Sequence, residues 1–408
     1  MSTSPRLVAR LVLFAAVAAL GFACVPAFAE DPEAPKAVQV RPGFGEEAKV
    51  ETIAVEGKGW LERRGGNLVL HVAGTPYEMG FQHGTLLKEQ VAGLTKRVQF
   101  MLTIEGARDP KNNPMKRLQE AYERCLPHIP PDIIEEMRGL AEGSGLPLET
   151  VRIANMIPEL FHCSGFALWG KATQDGALYH GRILDYAMEV GYHMYAVVMV
   201  AHPEGKHAFV NVGYAGFLGS VTGVNDQQVA FGEMGGGGEG DWDGMPMSFL
   251  MRKGMEEADN LEEGLAIFRD TPRTCEYYYV ISDAKIPDAR GLACTPEKFV
   301  VLSPGEPNAD LPVPLGVKDC VLMSGGDRFR LLTSRVVLDW GKFDGAKSLA
   351  LMRRPVAMSS AIHTALFAPG LGKLWISNAV GRTPSSECPY TEYDLAELFS
   401  AHPPETNR

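Results

Sequence analysis

The chain has 408 residues, 45% hydrophobic and 22% charged, with a formal net charge of −11. That is ordinary globular composition with enough apolar residues for a sizeable core, and the acidity excludes a surface built to hold nucleic-acid phosphates or anionic lipids. The glycines and prolines are spread along the chain rather than gathered into a linker, and no tandem repeat or heptad run is visible.

Arg6 and Arg10 precede an apolar run from Leu11 to Phe22, and Ala27-Phe28-Ala29 offers small residues for cleavage. Residues 1–29 therefore read as a secretory signal peptide, since the run is shorter than the ~20 apolar residues a spanning helix needs. Its removal takes away two cations and no acid, leaving −11 − 2 = −13, and sends the protein to the periplasm or out of the cell. No later segment is long and apolar enough to span a bilayer. Residues 30–50 read as a loose lead.

A strand is expected over Leu68–Ala73, ended by Gly74-Thr75-Pro76. Apolar positions at Leu86, Leu87, Val91, Leu94 and Val98 recur at helical spacing and predict a helix from Tyr77 to about Leu102. Further helices are expected over Met115–Cys125, Pro131–Ala141 and Leu148–Ile157. The period then changes. Ala177–Leu184, Met194–Ala201, His207–Val212, Gly219–Thr222 and Val229–Gly232 read as successive strands. Asp243–Ala258 and Leu261–Arg269 read as helices, Tyr277–Ser282 and Phe299–Leu302 as strands, and Gly325–Trp340 and Ala346–Met352 as helices. Ala361–Phe367 and Lys373–Asn378 form an expected last hairpin. Strands with helices grouped beside them indicate an α+β layering rather than alternating βαβ units.

Cys163 is the residue that carries chemistry. It opens an apolar, small-residue run, Ser164 to Gly170, followed by a turn at Asp175-Gly176 and then His180-Gly181-Arg182-Ile183-Leu184-Asp185. Two paired strands would return Arg182 and Asp185 towards the thiol, with Asp185 to orient the arginine or hold an amine. A permanent cation beside a thiol lowers its pKa and makes the nucleophile, and a cut before Cys163 would add a free α-amine as base. The bland alternative is a buried cysteine beside a surface ion pair. His180, Asp185 and His193 fit no standard metal site, and on a strand His180 and Arg182 share a face that Asp185 does not. The Gly235–Gly238 tract lacks the Lys-Ser/Thr of a phosphate loop and reads as a loop at a pocket rim. After export six cysteines remain, at irregular spacing with no Cys-x-x-Cys pair, which argues against structural zinc. Cys275 and Cys294, close in sequence, are the expected disulfide.

The stretch from Cys163 to Asp185 resembles the start of the catalytic chain in the autoproteolytic cysteine acyltransferase family, the penicillin acyltransferase-like N-terminal-nucleophile hydrolases, similar to choloylglycine hydrolases and acid ceramidases. Glu78-Met79-Gly80-Phe81-Gln82-His83-Gly84, Gly223-Val224-Asn225-Asp226, and Pro272-Arg273-Thr274 with Tyr278 to Asp283 follow in the family's order. The resemblance implies a four-layer αββα fold. Within it residues 30–162 form a helix-rich propeptide segment and 163–408 the catalytic segment, together one domain. It implies self-cleavage between His162 and Cys163, which leaves two associated pieces, and Cys163, Arg182, Asp185 and Asn225 as the catalytic set, with Asn225 matching an asparagine that helps bind the oxyanion. Tyr278 stands where the family usually has an asparagine that binds the oxyanion, and Arg335 resembles an arginine near the substrate pocket. The implied activity is amide hydrolysis or acyl transfer on an acylated small molecule, with no cofactor and no metal. The alternatives are an ester or phospholipid hydrolase, or a secreted binding protein of the same fold that has lost turnover.

Overall fold

The structure, a computed structural model, describes residues 38–156, 163–306 and 316–404. The expected signal peptide and His162 lie outside these residues. The described strands form two sheets. In the first, seven strands run in the order Val40–Pro42, Tyr390–Asp394, Lys373–Asn378, Ala361–Ala368, Tyr179–Asp185, Ser164–Leu168 and Cys320–Met323. In the second, ten strands run in the order Phe299–Leu302, Asp288–Cys294, Tyr277–Asp283, Val229–Gly235, Thr222–Asn225, Phe209–Tyr214, Ala196–Pro203, Asn67–Gly74, Gly59–Arg64 and Val50–Glu56.

The sheets lie face to face. Val198, Val200, Val210 and Val212 of the larger sheet form one buried cluster with Ala365, Phe367, Leu374 and Ile376 of the smaller, the alternate-residue signature of an inward strand face. Outside the larger sheet, Phe268 of the Leu261–Asp270 helix packs on Phe231 and Tyr279. The Met247–Glu257 helix sets Met255 against Gly223 on the same outer side. The helices Gly326–Leu338 and Gly345–Leu351 cover the smaller sheet, Arg328 reaching Asp185 and Gly345 resting on Trp375. The layering is helix, sheet, sheet, helix, an α+β fold of the expected αββα kind.

Ahead of Cys163 the chain builds a tight helix pair. Thr75 and Glu78 form a reciprocal capping box that starts the Pro76–Leu86 helix. Gly80 and Gly84 of this helix meet Gly139 and Gly143 of the Pro131–Ser144 helix with no room for a side chain. A Cβ at Gly80 would lie 2.0 Å from the Glu136 carbonyl oxygen, and one at Gly139 2.1 Å from that of Tyr77. His83 accepts the Gly216 N–H at 2.8 Å, and burial holds its pKa down at about 4, so it stays neutral and ties the pair to the larger sheet.

Three sequence expectations need correction. The helix expected from Tyr77 to Leu102 is two helices, because Leu87 leaves helical geometry at φ −116° and ψ 28°. Leu87 is wholly buried, so the apolar pattern runs through the break without marking it. The loose lead contains the Val40–Pro42 strand and ends at a hairpin, Val50–Glu56 with Gly59–Arg64. Its outer strand is almost entirely exposed and offers no apolar stripe. The strand expected at Gly219–Thr222 lies instead at Thr222–Asn225.

Candidate active site

Ser164–Leu168 pairs antiparallel with Tyr179–Asp185, Gly165 opposite Arg182 and Ser164 opposite Ile183. Gly165 faces Met234 and Val280 of the larger sheet. Alternation therefore turns Cys163 and Arg182 inward between the sheets, and Ser164 and Asp185 outward towards the covering helix. Arg182 is fully buried and Cys163 is 5% exposed.

Arg182 is the hub. Its Nη2 donates to Cys163 Sγ at 3.4 Å and to Glu233 Oε2 at 3.2 Å, and its Nε donates to the Glu233 carbonyl at 3.0 Å. Its Nη1 lies 3.5 Å from His363 Nε2. A guanidinium only donates, so His363 Nε2 accepts and the ring proton sits on Nδ1, towards the Tyr214 hydroxyl at 3.0 Å. Thr222 Oγ1 completes the ring's environment, 2.9 Å from Nε2. Burial, reinforced by the Arg182 charge, holds the His363 pKa well below its ordinary value. The imidazole is a neutral acceptor for the arginine.

Burial pushes the Cys163 thiol up to about 12, and Arg182 only partly offsets this while the charges of Glu233 and Asp185 add to it. In the continuous chain the sulfur is thus protonated at neutral pH, although the Asp185 main-chain N–H also faces it and favours the anion.

Asp185 does not orient Arg182. It pairs with Arg328, whose Nη2 reaches Asp185 Oδ2 at 2.5 Å and Ser164 Oγ at 2.6 Å, while the Met358 N–H donates to Oδ1 at 2.9 Å. Burial pushes the Asp185 carboxyl up to about 6 against the pull of Arg328, the Met358 N–H and Arg182. Ser164 Oγ also meets Ser324 Oγ at 2.7 Å, so the outer side of the Cys163 strand is held by one polar network.

Beside Arg182 opens an apolar pocket, lined by Leu184, Tyr186, Tyr192, Tyr214, Phe217 and Val221 among others. Leu184 follows Arg182 on the same inward face, and Tyr214 joins the pocket wall to His363. Among the described residues no group of three or more His, Cys, Asp or Glu side chains is placed to hold a metal ion.

The structure brings Cys163 and Arg182 together, leaves Asn225 and Arg335 elsewhere, and engages the Tyr278 hydroxyl with a neighbouring carboxylate. Asn225 lies on the far face of the larger sheet, where its amide donates to the Met255 and Ala258 carbonyls at 3.1 and 2.8 Å and its oxygen accepts the Val229 N–H at 2.9 Å. It fastens a helix end rather than facing the thiol. The Tyr278 hydroxyl donates to Glu276 Oε1 at 2.7 Å. Arg335 donates to the Arg353 and Arg354 carbonyls at 3.2 and 3.3 Å and anchors its helix instead of lining the pocket. The Gly235–Gly238 tract does not line the pocket either. Arg117 pairs with Glu239 and Arg124 with Gly240 and Asp243, tying the tract to the Pro114–Cys125 helix. Cys275 and Cys294, the expected disulfide, are not bonded to each other. The Cys275 sulfur turns to the Asp241 carbonyl, while Cys294 sits opposite Tyr277.

Glu233, His363 and Arg328 were not legible as site residues. Glu233 did carry a signal, a lone carboxylate within the otherwise uncharged strand Val229–Gly235.

Residues 172–289 match the family model of acyl-coenzyme A:6-aminopenicillanic acid acyl-transferase. Over this stretch the chain is similar to that acyl-transferase family. The matched stretch holds Arg182, Asp185 and Glu233, and Cys163 lies just ahead of it. Among similar proteins, the protein dcd1B of Dictyostelium discoideum is 30% identical over 52% of this chain and 47% of its own length. The acid ceramidase of Rattus norvegicus is 25% identical over 48% of this chain and 56% of its own. The chain thus spans about half the length of the relatives it matches. Among solved structures, an N-acylethanolamine-hydrolyzing acid amidase ortholog of Caenorhabditis elegans is 16% identical, with a TM-score of 0.42 over 51% of this chain and 93% of its own.

Proposed function

We propose that this chain is an exported, self-processing thiol hydrolase or acyltransferase that cleaves the amide bond of an N-acyl small molecule through an acyl-enzyme on Cys163. The observation that carries this reading is the Arg182 guanidinium held between the Cys163 sulfur and the Glu233 carboxylate in a buried site beside an apolar pocket. In the first step the Cys163 sulfur attacks the His162 carbonyl carbon. The peptide C–N bond breaks, and the nitrogen leaves as the Cys163 α-amine. Water then hydrolyses the thioester, leaving His162 as a carboxylate.

The cut also changes the nucleophile. An α-amine has a reference pKa of ~7.7–8.0, so near neutral pH it takes the thiol proton that burial otherwise retains. The thiolate, paired with Arg182, attacks the substrate carbonyl. The C–N bond breaks, the amine leaves with a proton, and water or a second amine resolves the thioester. Glu233 and neutral His363 hold the guanidinium in place, and the apolar pocket takes the acyl chain.

Sequencing the mature protein tests this reading. The larger piece should begin Cys-Ser-Gly-Phe, and Cys163→Ala should remain uncut and inactive. An uncut but active Cys163→Ala protein overturns it. One observation favours a second reading, a binding protein without turnover: Asn225 and Tyr278, the expected oxyanion donors, are engaged elsewhere. A thiol-reactive acyl probe separates the two, because only a live site labels Cys163 faster than the other cysteines.

A further inference from the structure

We propose that Cys125 and Cys275 form a disulfide that joins the chain ahead of Cys163 to the chain after it. Cys125 ends the Pro114–Cys125 helix, and its thiol donates to the Trp242 carbonyl at 3.1 Å. Cys275 stands just before the Tyr277–Asp283 strand. Its sulfur lies 3.8 Å from the Asp241 carbonyl oxygen, which also accepts the Cys275 N–H at 3.0 Å. The two acceptors belong to consecutive residues, so both sulfurs rest against one short piece of backbone. The neighbouring Arg124 fixes that approach. It donates to the Asp243 carboxylate at 2.9 and 2.5 Å and to the Gly240 carbonyl at 2.7 Å.

Both sulfurs are buried free thiols in the structure. Burial pushes Cys125 up to about 12. Burial likewise pushes Cys275 up to about 11.

The bond forms by exchange with a disulfide oxidant, either a small molecule such as oxidised glutathione or a protein disulfide. One cysteine thiolate attacks the oxidant, forming a mixed disulfide and releasing one thiol. The second thiolate then attacks the protein-side sulfur and releases the other. The pair loses two protons and two electrons, and the oxidant is reduced to two thiols. Thiols with pKa values this high are weak nucleophiles, so exchange precedes burial and the closed bond is then shielded. The consequence for a cut protein rests on the processing proposed above: the two pieces would leave the cut covalently joined.

The test is to fold the full chain in reduced and oxidised glutathione, denature it without reductant, alkylate it with N-ethylmaleimide and map the peptides by mass. The Cys125 and Cys275 peptides should appear as one cross-linked, unalkylated species that reductant separates, and Cys125→Ser should abolish it. Reductant should lower the melting temperature of the wild type and leave that of Cys125→Ser unmoved. Complete alkylation of both residues without reductant, or either one cross-linked to a different cysteine, overturns the proposal. Gels keep the two ideas apart. A cut, bridged protein gives one band without reductant and two with it, whereas an uncut, bridged protein gives one band in both cases and still yields the cross-linked peptide.

Discussion

Two buried arginines divide the work of this molecule. Arg252, 2% exposed, sits in the helical layer outside the larger sheet and faces fixed acceptors. Its Nη2 meets Glu136 at 2.6 Å, its Nε meets Glu256 at 2.7 Å, and its Nη1 meets Glu136 and the Leu218 carbonyl at 2.9 and 3.0 Å. Burial disfavours its charge, but the two carboxylates more than offset this and hold its pKa above the ordinary value. Arg182, wholly buried between the sheets, has one carboxylate at 3.2 Å, and its other contacts include a thiol at 3.4 Å and an imidazole at 3.5 Å. A guanidinium surrounded by short bonds to carboxylates and carbonyls is a fastener. One whose longer contacts include groups able to change protonation is suited to chemistry.

The sharpest way to break this contrast is to truncate each arginine. Arg252→Met leaves Glu136 and Glu256 buried without their cation, and should lower unfolding stability by about 3–5 kcal/mol. The activity of each surviving folded molecule should be unchanged, as read by denaturant titration beside active-site counting. Arg182→Lys keeps a charge but loses the fork that reaches sulfur and carboxylate together. It should lower kcat/KM about 10²–10³-fold, the scale of losing one transition-state donor, with a smaller effect on stability than Arg252→Met. If Arg182→Lys turns over normally, Arg182 is a second fastener and the contrast fails.

Asn225 belongs on the fastening side of the line. Its three hydrogen bonds close the turn to Val229 and hold the end of the Met247–Glu257 helix. Asn225→Ala should cost about 1–3 kcal/mol, the penalty for leaving buried backbone groups unpaired, with kcat/KM per folded molecule unmoved. A 10²-fold loss of turnover without loss of stability would return Asn225 to the oxyanion role.

These assignments show where sequence reasoning reaches and where it stops. The pairing of the Cys163 strand with the Arg182 strand was legible because a small-residue run, a turn and an alternating run adjoin in sequence. The layering was legible because helical and strand periods separate cleanly. Glu233 and His363 come from strands distant in sequence, and only the stacking of the two sheets brings them to Arg182. Arg328 reaches Asp185 from a covering helix whose rotation no local pattern fixes. Asn225 was misplaced for a similar reason. The strand lies three residues beyond its expected position, and on a strand any odd shift exchanges the inward face for the outward one.

A smaller effect concerns the outer network at Asp185. Burial raises its carboxyl from an ordinary 3.8 to about 6, so the folded state keeps a proton that the unfolded chain has already released. The stability this provides is complete below about pH 3.8 and is lost as pH rises through about 6. Asp185→Asn cannot titrate, so the stability of wild type relative to this variant should fall between pH 4 and pH 6. Thermal melts of both proteins across that range check it. A relative gain over the same interval would mean that Arg328 holds Asp185 ionised in the folded state.

The smallest expected change is at Tyr278, and it bears most directly on turnover. Its hydroxyl donates to Glu276, and the tyrosine is only partly buried, so Tyr278→Phe removes a single hydrogen bond worth about 1 kcal/mol or less. If the Arg182 group is sufficient to hold the reacting carbonyl near Cys163, kcat/KM should stay within about threefold of wild type, well under the roughly 10²-fold penalty for deleting an oxyanion donor. A full 10²-fold loss with stability unchanged would place the phenol at the substrate in the cut protein. It would mean that cleavage moves Tyr278 away from Glu276, and the boundary between the fastening and reacting parts of the molecule would then be set by processing rather than by the fold of the continuous chain.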